Sequence, residues 1–152
     1  MKLRYEPFEI AMADALVPMW RESFEYGVGI VDPNPIADQR AHLTERVLPE
    51  HAVTVALEGE RIVGFVAANA ESVSQLFVRV GCHGRGIGSE LLRRAMAASA
   101  DALWLYTFAR NAQARRFYEA RGFVAVAFGF EPTWQLDDVR YEWRRADLSS
   151  GA

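Results

Sequence analysis

Leu76-Phe77-Val78-Arg79-Val80-Gly81-Cys82-His83-Gly84-Arg85-Gly86-Ile87-Gly88-Ser89-Glu90-Leu91-Leu92 reads as an apolar strand, a glycine-rich turn and the start of a helix. Four glycines between Gly81 and Gly88 clear side chains away from backbone N–H groups. A helix beginning near Gly86 aims its unpaired N–H groups and the positive end of its dipole at the same spot. Such a turn is suited to phosphate. Spacing excludes two phosphate loops. A dinucleotide turn needs G-x-G-x-x-G after the first strand of a parallel unit, with an acidic residue about 20 positions later. Here the spacing is Gly84-x-Gly86-x-Gly88, three strand candidates come first, and the next strand ends at Phe108 without a carboxylate. A triphosphate loop needs Lys-Ser or Lys-Thr, which is missing from the turn. The bland alternative is a glycine-rich loop with no ligand.

Working outward, Leu3 to Tyr5 reads as a first strand. Leu16, Met19, Trp20 and Phe24 give a helix over Ala11 to Phe24 that Gly27 and Gly29 end. After the turn cluster Asp32-Pro33-Asn34-Pro35, a second helix runs from Ile36 to Leu48 and stops at Pro49. Strands are expected over Ala52 to Leu57, Arg61 to Ala70 and Ser72 to Val80, the first two joined by a hairpin at Glu58-Gly59-Glu60. A helix from Ile87 to about Ala100 and a strand from Leu103 to Phe108 complete a right-handed crossover. Asn111 caps a further helix on which Ala114, Phe117, Tyr118 and Arg121 share a face, with Gly122 as its stop. Phe123 to Phe128 and Val139 to Trp143 are the last strands, separated by a loop holding Pro132 and Trp134.

The 152 residues suit one domain, 1–152, with a core of its own. A formal charge of −3 argues against a nucleic-acid or anionic-membrane surface, so any phosphate site is local. The single Cys82 makes no internal disulfide or paired-cysteine metal site and reads as a plain loop residue. Lys2, Arg4, Glu6 and Glu9 break up the first ten residues, unlike a signal peptide, and no apolar run reaches membrane-spanning length. A cytoplasmic location follows as the expectation.

The chain resembles the GNAT superfamily of N-acetyltransferases. That family's turn carries Gln or Arg, two residues, Gly, one residue, then Gly or Ala, and His83, Gly86 and Gly88 hold those places. Its second motif is matched by Asn111, Ala114, Phe117, Tyr118, Gly122 and Phe123. The resemblance implies an α/β fold with a mixed, mostly antiparallel sheet of about seven strands, a central splayed parallel pair and helices on both faces. It implies acetyl-CoA as cofactor, with pantetheine along the strand through Phe77, Val78 and Val80. The pyrophosphate would lie on His83, Gly84, Arg85, Gly86, Ile87, Gly88 and Ser89, with Asn111, Ala114 and Tyr118 contributing from the next helix. Arg85, with Arg93 or Arg94, would add charge. His83 replaces the usual Gln or Arg, and Val80 stands where Pro is frequent.

Acetyl transfer to an amine needs a neutral amine, an oxyanion donor and a proton for the departing thiolate. Tyr118 stands at the family's general-acid position, its alternative being a core tyrosine. A backbone N–H near Val78 serves the oxyanion. Glu71 is the only carboxylate near the sheet centre and so the candidate catalytic base, its alternative being an exposed turn; the other route for the amine's proton is a water relay or a base the sequence does not identify. His42 and His51 are placed no better. Phe24, Tyr26 and Trp134 are the aromatic candidates for the acceptor, or else ordinary packing. Glu22, Glu25, Asp32 and Asp38 give that region an acidic cast that favours a cationic amine. The function expected is transfer of acetyl from acetyl-CoA to a primary amine of a small or amino-acid-like molecule in a ternary complex. Protein N-terminal or lysine acetylation and a non-catalytic acyl-CoA sensor are the alternatives, and a homodimer is compatible with the sequence.

Overall fold

The computed structural model describes residues 2–146. Among them, seven strands and four α-helices alternate as β1 (Leu3–Pro7), α1 (Ala13–Val28), α2 (Ile36–His42), β2 (Ala52–Glu58), β3 (Arg61–Ala68), β4 (Val73–Val78), α3 (Ile87–Ala98), β5 (Ala102–Phe108), α4 (Ala112–Glu119), β6 (Val124–Glu131) and β7 (Leu136–Arg144). The strands form two half-sheets, β1-β2-β3-β4 and β5-β7-β6, antiparallel within each. The halves meet at one parallel bridge, Ser72 with Trp104, where the Trp104 N–H donates to the Glu71 carbonyl at 3.0 Å. Beyond that point β4 and β5 part, which is the splayed parallel pair.

Alternation along the central strands sends side chains into two cores. Val53, Val55, Leu57, Phe65 and Ala67 pack with Leu16, Val17, Met19 and Trp20 of α1 on one face. Ala56, Val63 and Val66 pack with Ile87, Leu91 and Leu92 of α3 on the other, continuous with Leu103, Leu105, Tyr118, Phe123, Val139 and Tyr141. All of β3 except Arg61 is buried, as a central strand covered on both faces requires.

Three boundaries differ from expectation in ways that shape the site. α1 runs through Gly27 and ends only at Gly29, which adopts a left-handed φ of 78° and donates to the Glu25 carbonyl at 2.8 Å. The second helix widens into a π-turn at Leu43–Val47, closed by Leu48 N–H on the Leu43 carbonyl at 2.9 Å. β4 stops at Val78 because Arg79 to Cys82 form a tight turn, closed at 2.9 Å, with Val80 second and Gly81 (φ 90°) third. A turn with positive φ at its third residue favours Pro at its second, which is why Pro suits the place Val80 holds.

Candidate active site

β4 decides which backbone groups face the gap. The Arg79 N–H donates to the Val63 carbonyl at 2.8 Å, so by two-residue alternation residues 75, 77 and 79 pair with β3. The N–H and C=O groups of Leu76 and Val78 therefore point at the space β5 has vacated. The Val78 carbonyl is engaged there by the buried Ser23 hydroxyl of α1, which donates at 3.0 Å. The Val78 N–H and both groups of Leu76 face the gap, since beyond the Trp104 bridge β5 pairs with β7 and not with β4.

A cavity of about 240 Å³ fills this wedge. Leu76, Phe77 and Val78 form one wall, α4 from Asn111 to Tyr118 the other, Ser23, Tyr26 and Gly27 a third, and the glycine turn its end. Gly84 and Gly86 take φ of 79° and 81°, which side chains adopt at a cost, and a Cβ on either would meet nothing within 4 Å. The space over the turn is open. Gly86 is the N-cap of α3 and its carbonyl accepts from the Glu90 N–H, so the N–H groups of Ile87, Gly88 and Ser89 lack helical partners at the end of the cavity, an arrangement suited to an anion. Gly88 has another reason to be glycine: a Cβ there would lie 3.2 Å from the Phe117 ring, so its absence lets α3 and α4 close on each other.

Asn111 caps α4 as its sequence position suggests, its Oδ1 accepting from the Ala114 N–H at 3.1 Å. Its Nδ2 faces α1 and lies 3.0 Å from where a Cβ on Gly27 would sit. Gly27, expected as a helix breaker, is instead the helical residue small enough to admit this amide. Tyr118 is buried against Phe117, Phe123 and Tyr141 yet lines the cavity. Burial holds its phenol well above the ordinary tyrosine range, so it stays protonated.

Several expected positions lie elsewhere. Arg85 does not line the cavity: it is ion-paired with Glu58 of the β2–β3 hairpin, and that bond depresses the Glu58 carboxyl. Arg93 and Arg94 are both held by Glu90, at 2.6 and 2.7 Å, and these bonds pull the Glu90 carboxyl down to about 2. Val80 belongs to the tight turn and is not a lining residue. Cys82, expected as plain loop, is buried and lines the cavity. Glu71 is exposed, at the bridge end of β4 and away from the glycine turn, and does not line the cavity. The cavity has no carboxylate among its described lining residues.

The three aromatic candidates separate. Phe24 meets Trp134 at 5.1 Å, Phe108 at 6.2 Å and Phe77 at 6.4 Å between ring centroids, a cluster that spans both half-sheets on the α1 face. Tyr26, two residues on and so turned to another side of α1, stacks instead with His83 over the turn at 6.1 Å. The acidic cast is largely absorbed internally. Asp32 pairs with Arg21 at 3.2 Å, and Glu25 accepts from the Asp32 N–H at 2.7 Å. Ser23 and Arg121 were not among the expected site residues. Arg121 carried a signal in its helical spacing from Phe117, whereas Ser23 carried none, because only packing brings α1 onto β4.

The fold is shared with solved structures. The apo form of YjaB from Escherichia coli superposes with a TM-score of 0.77 at 20% identity, over 96% of this chain and 100% of that one. PaiA N-acetyltransferase from Thermoplasma acidophilum in complex with coenzyme A gives 0.73 at 17% identity, over 95% and 99%. YncA, described as a putative acetyltransferase from Salmonella typhimurium with acetyl-CoA, gives 0.72 at 15% identity, over 97% and 96%. Residues 49–125, half of the chain, match the acetyltransferase (GNAT) domain, and the chain belongs to that family. It is an acetyl-CoA-dependent acyltransferase. The open cradle over Gly84 and Gly86, the unpaired α3 N–H groups and the free edge of β4 fit that cofactor.

Proposed function

We propose that the protein acetylates a primary amine of a small or amino-acid-like molecule by direct transfer within a ternary complex. The observation that carries this reading is the wedge itself: a β4 edge with free backbone groups, facing a buried, protonated Tyr118 across one cavity. Acetyl-CoA supplies an activated thioester carbonyl. Leu76 and Val78 extend hydrogen bonds to its amide-bearing arm as a sheet edge does to an added strand. The Val78 N–H, held rigid by its strand and by Ser23 on the same peptide plane's neighbour, serves the developing oxyanion. Tyr118 donates its proton to the leaving thiolate. The amine arrives from the α1 face, its carbon skeleton against Phe24, Phe77, Phe108 and Trp134. With no carboxylate among the described lining residues, the amine's proton leaves through water rather than through Glu71. A cytoplasmic location and a homodimer belong to this reading; sedimentation tests the latter.

The test is release of free thiol from acetyl-CoA in the presence of an amine panel, peptides with free N-termini and lysine peptides. Turnover with a small amine is the expected result. Turnover with peptides alone would move the assignment to protein acetylation. Tight CoA binding with no thiol above background would make the chain an acyl-CoA sensor.

A further inference from the structure

We infer that Arg121 is the phosphate-binding cation of this cofactor site, filling the part that Gln or Arg plays at the position His83 occupies. The inference rests on the acetyl-CoA reading and adds to it Arg121, which is not one of the positions that either sequence motif fixes. The expected cations are engaged elsewhere, Arg85 with Glu58 and both Arg93 and Arg94 with Glu90. Arg121 is the lining residue with a full positive charge at neutral pH among those described, and no lining carboxylate opposes it. It has no ion-pair partner among the described residues.

Its position is fixed by neutral groups. The guanidinium lies over the Phe117 ring, 3.8 Å from the centroid. Nη1 donates to the Phe117 carbonyl at 2.8 Å, and Nε and Nη2 both donate to the Ser89 hydroxyl. Those three bonds leave two of its five N–H donors free. Ser89 is in the first turn of α3, so the charge stands beside the unpaired helix N–H groups that face an anion. An arginine held by a ring, a carbonyl and a hydroxyl keeps its whole charge for a ligand. One held by a carboxylate does not. In a chain of net charge −3, an uncompensated cation at the mouth of a phosphate cradle is a matched pair waiting for its anion.

Isothermal titration of the full chain with CoA, dephospho-CoA and phosphate-free pantetheine tests this. Arg121→Met and Arg121→Gln should each weaken CoA binding about tenfold or more, while Arg121→Lys stays within a few-fold. Pantetheine affinity should be unchanged in every variant, which also shows that the fold is intact. Arg116→Met, exposed on α4 and outside the cavity, should leave CoA affinity within about twofold. If the loss in Arg121→Met persists with dephospho-CoA, the contact is to the pyrophosphate. If it disappears, the contact is to the 3′-phosphate. Either outcome supports the inference. Parental CoA affinity in both charge-removing variants, or an equal loss for pantetheine, overturns it. A parent protein that binds no CoA would instead overturn the cofactor reading, a separate result.

Discussion

The Asn111 side-chain nitrogen lies 3.0 Å from the point a Cβ on Gly27 would occupy. One amide thereby joins two helices, its oxygen capping α4 and its nitrogen pressed against α1 at the cavity wall. Gly27→Ala should move that amide by a few tenths of an ångström. The gain of up to about 1 kcal/mol in helix propensity offsets the crowding, so little change in stability is expected. Weaker CoA affinity at nearly constant melting temperature is the expected signature, read by titration and calorimetry together. Unchanged affinity would mean the Asn111 amide makes no contact with the cofactor.

Tyr118→Phe removes a hydroxyl and leaves the packing ring. If the phenol is the general acid, kcat should fall by about 10²-fold or more with CoA affinity preserved. Because burial raises the Tyr118 pKa, the wild-type rate should show no loss from phenol ionisation up to about pH 10, the ordinary tyrosine value. The same shift has a stability consequence of definite sign. The folded phenol titrates above the unfolded one, so its contribution is fully present below about pH 10 and declines as pH rises beyond it. Urea titrations at pH 8 and 11 on wild type and Tyr118→Phe would reveal the difference.

Glu90 gives the opposite sign. Its carboxyl is depressed to about 2 by bonds first from Arg93 and then from Arg94, so its contribution is present above the unfolded value and is lost as pH falls toward 2. The site is largely open to solvent, so the effect is small and screened by salt. Glu90→Gln should lower stability slightly at pH 7 and flatten the acid limb between about pH 5 and 2 by the same small amount, the two proteins converging near pH 2. A limb as steep as in the parent would show that the pair contributes nothing.

Ser23→Ala tests the α1 to β4 link. The buried Ser23 hydroxyl bonds the Val78 carbonyl, and removing it leaves that carbonyl bare, a loss of about 1–2 kcal/mol. Since Val78 is the strand residue proposed for the oxyanion, kcat should fall as well. Loss of stability with kcat intact would confine Ser23 to a structural part.

The features that the chain displays locally were the easy ones to read. Gly84, Gly86 and Gly88 announce the turn, and Asn111 with Ala114 announces a cap, because each depends on residues a few positions apart. What depended on distant partners was not legible. Arg85 looks free beside its glycines, but its carboxylate comes from Glu58, 27 residues earlier on a hairpin. Phe24 and Tyr26 look like one aromatic pair in sequence, and the helix turns them to different sides. Arg121 has the sequence spacing of a residue on the Phe117 helix face, yet it lies in the turn after α4 and is held by Ser89, 32 positions away.

The Ser72 and Trp104 bridge has a consequence for how such an enzyme can vary. Each half-sheet satisfies its own backbone ladder, and the two are joined at one rung. Changing the angle between them therefore breaks no rung within either half, and the wedge is spaced by contacts such as Gly88 on Phe117 and Gly27 on Asn111. The gauge of the wedge is a side-chain property: single substitutions at those contacts can reset it while the strand pairing beneath stays as it is.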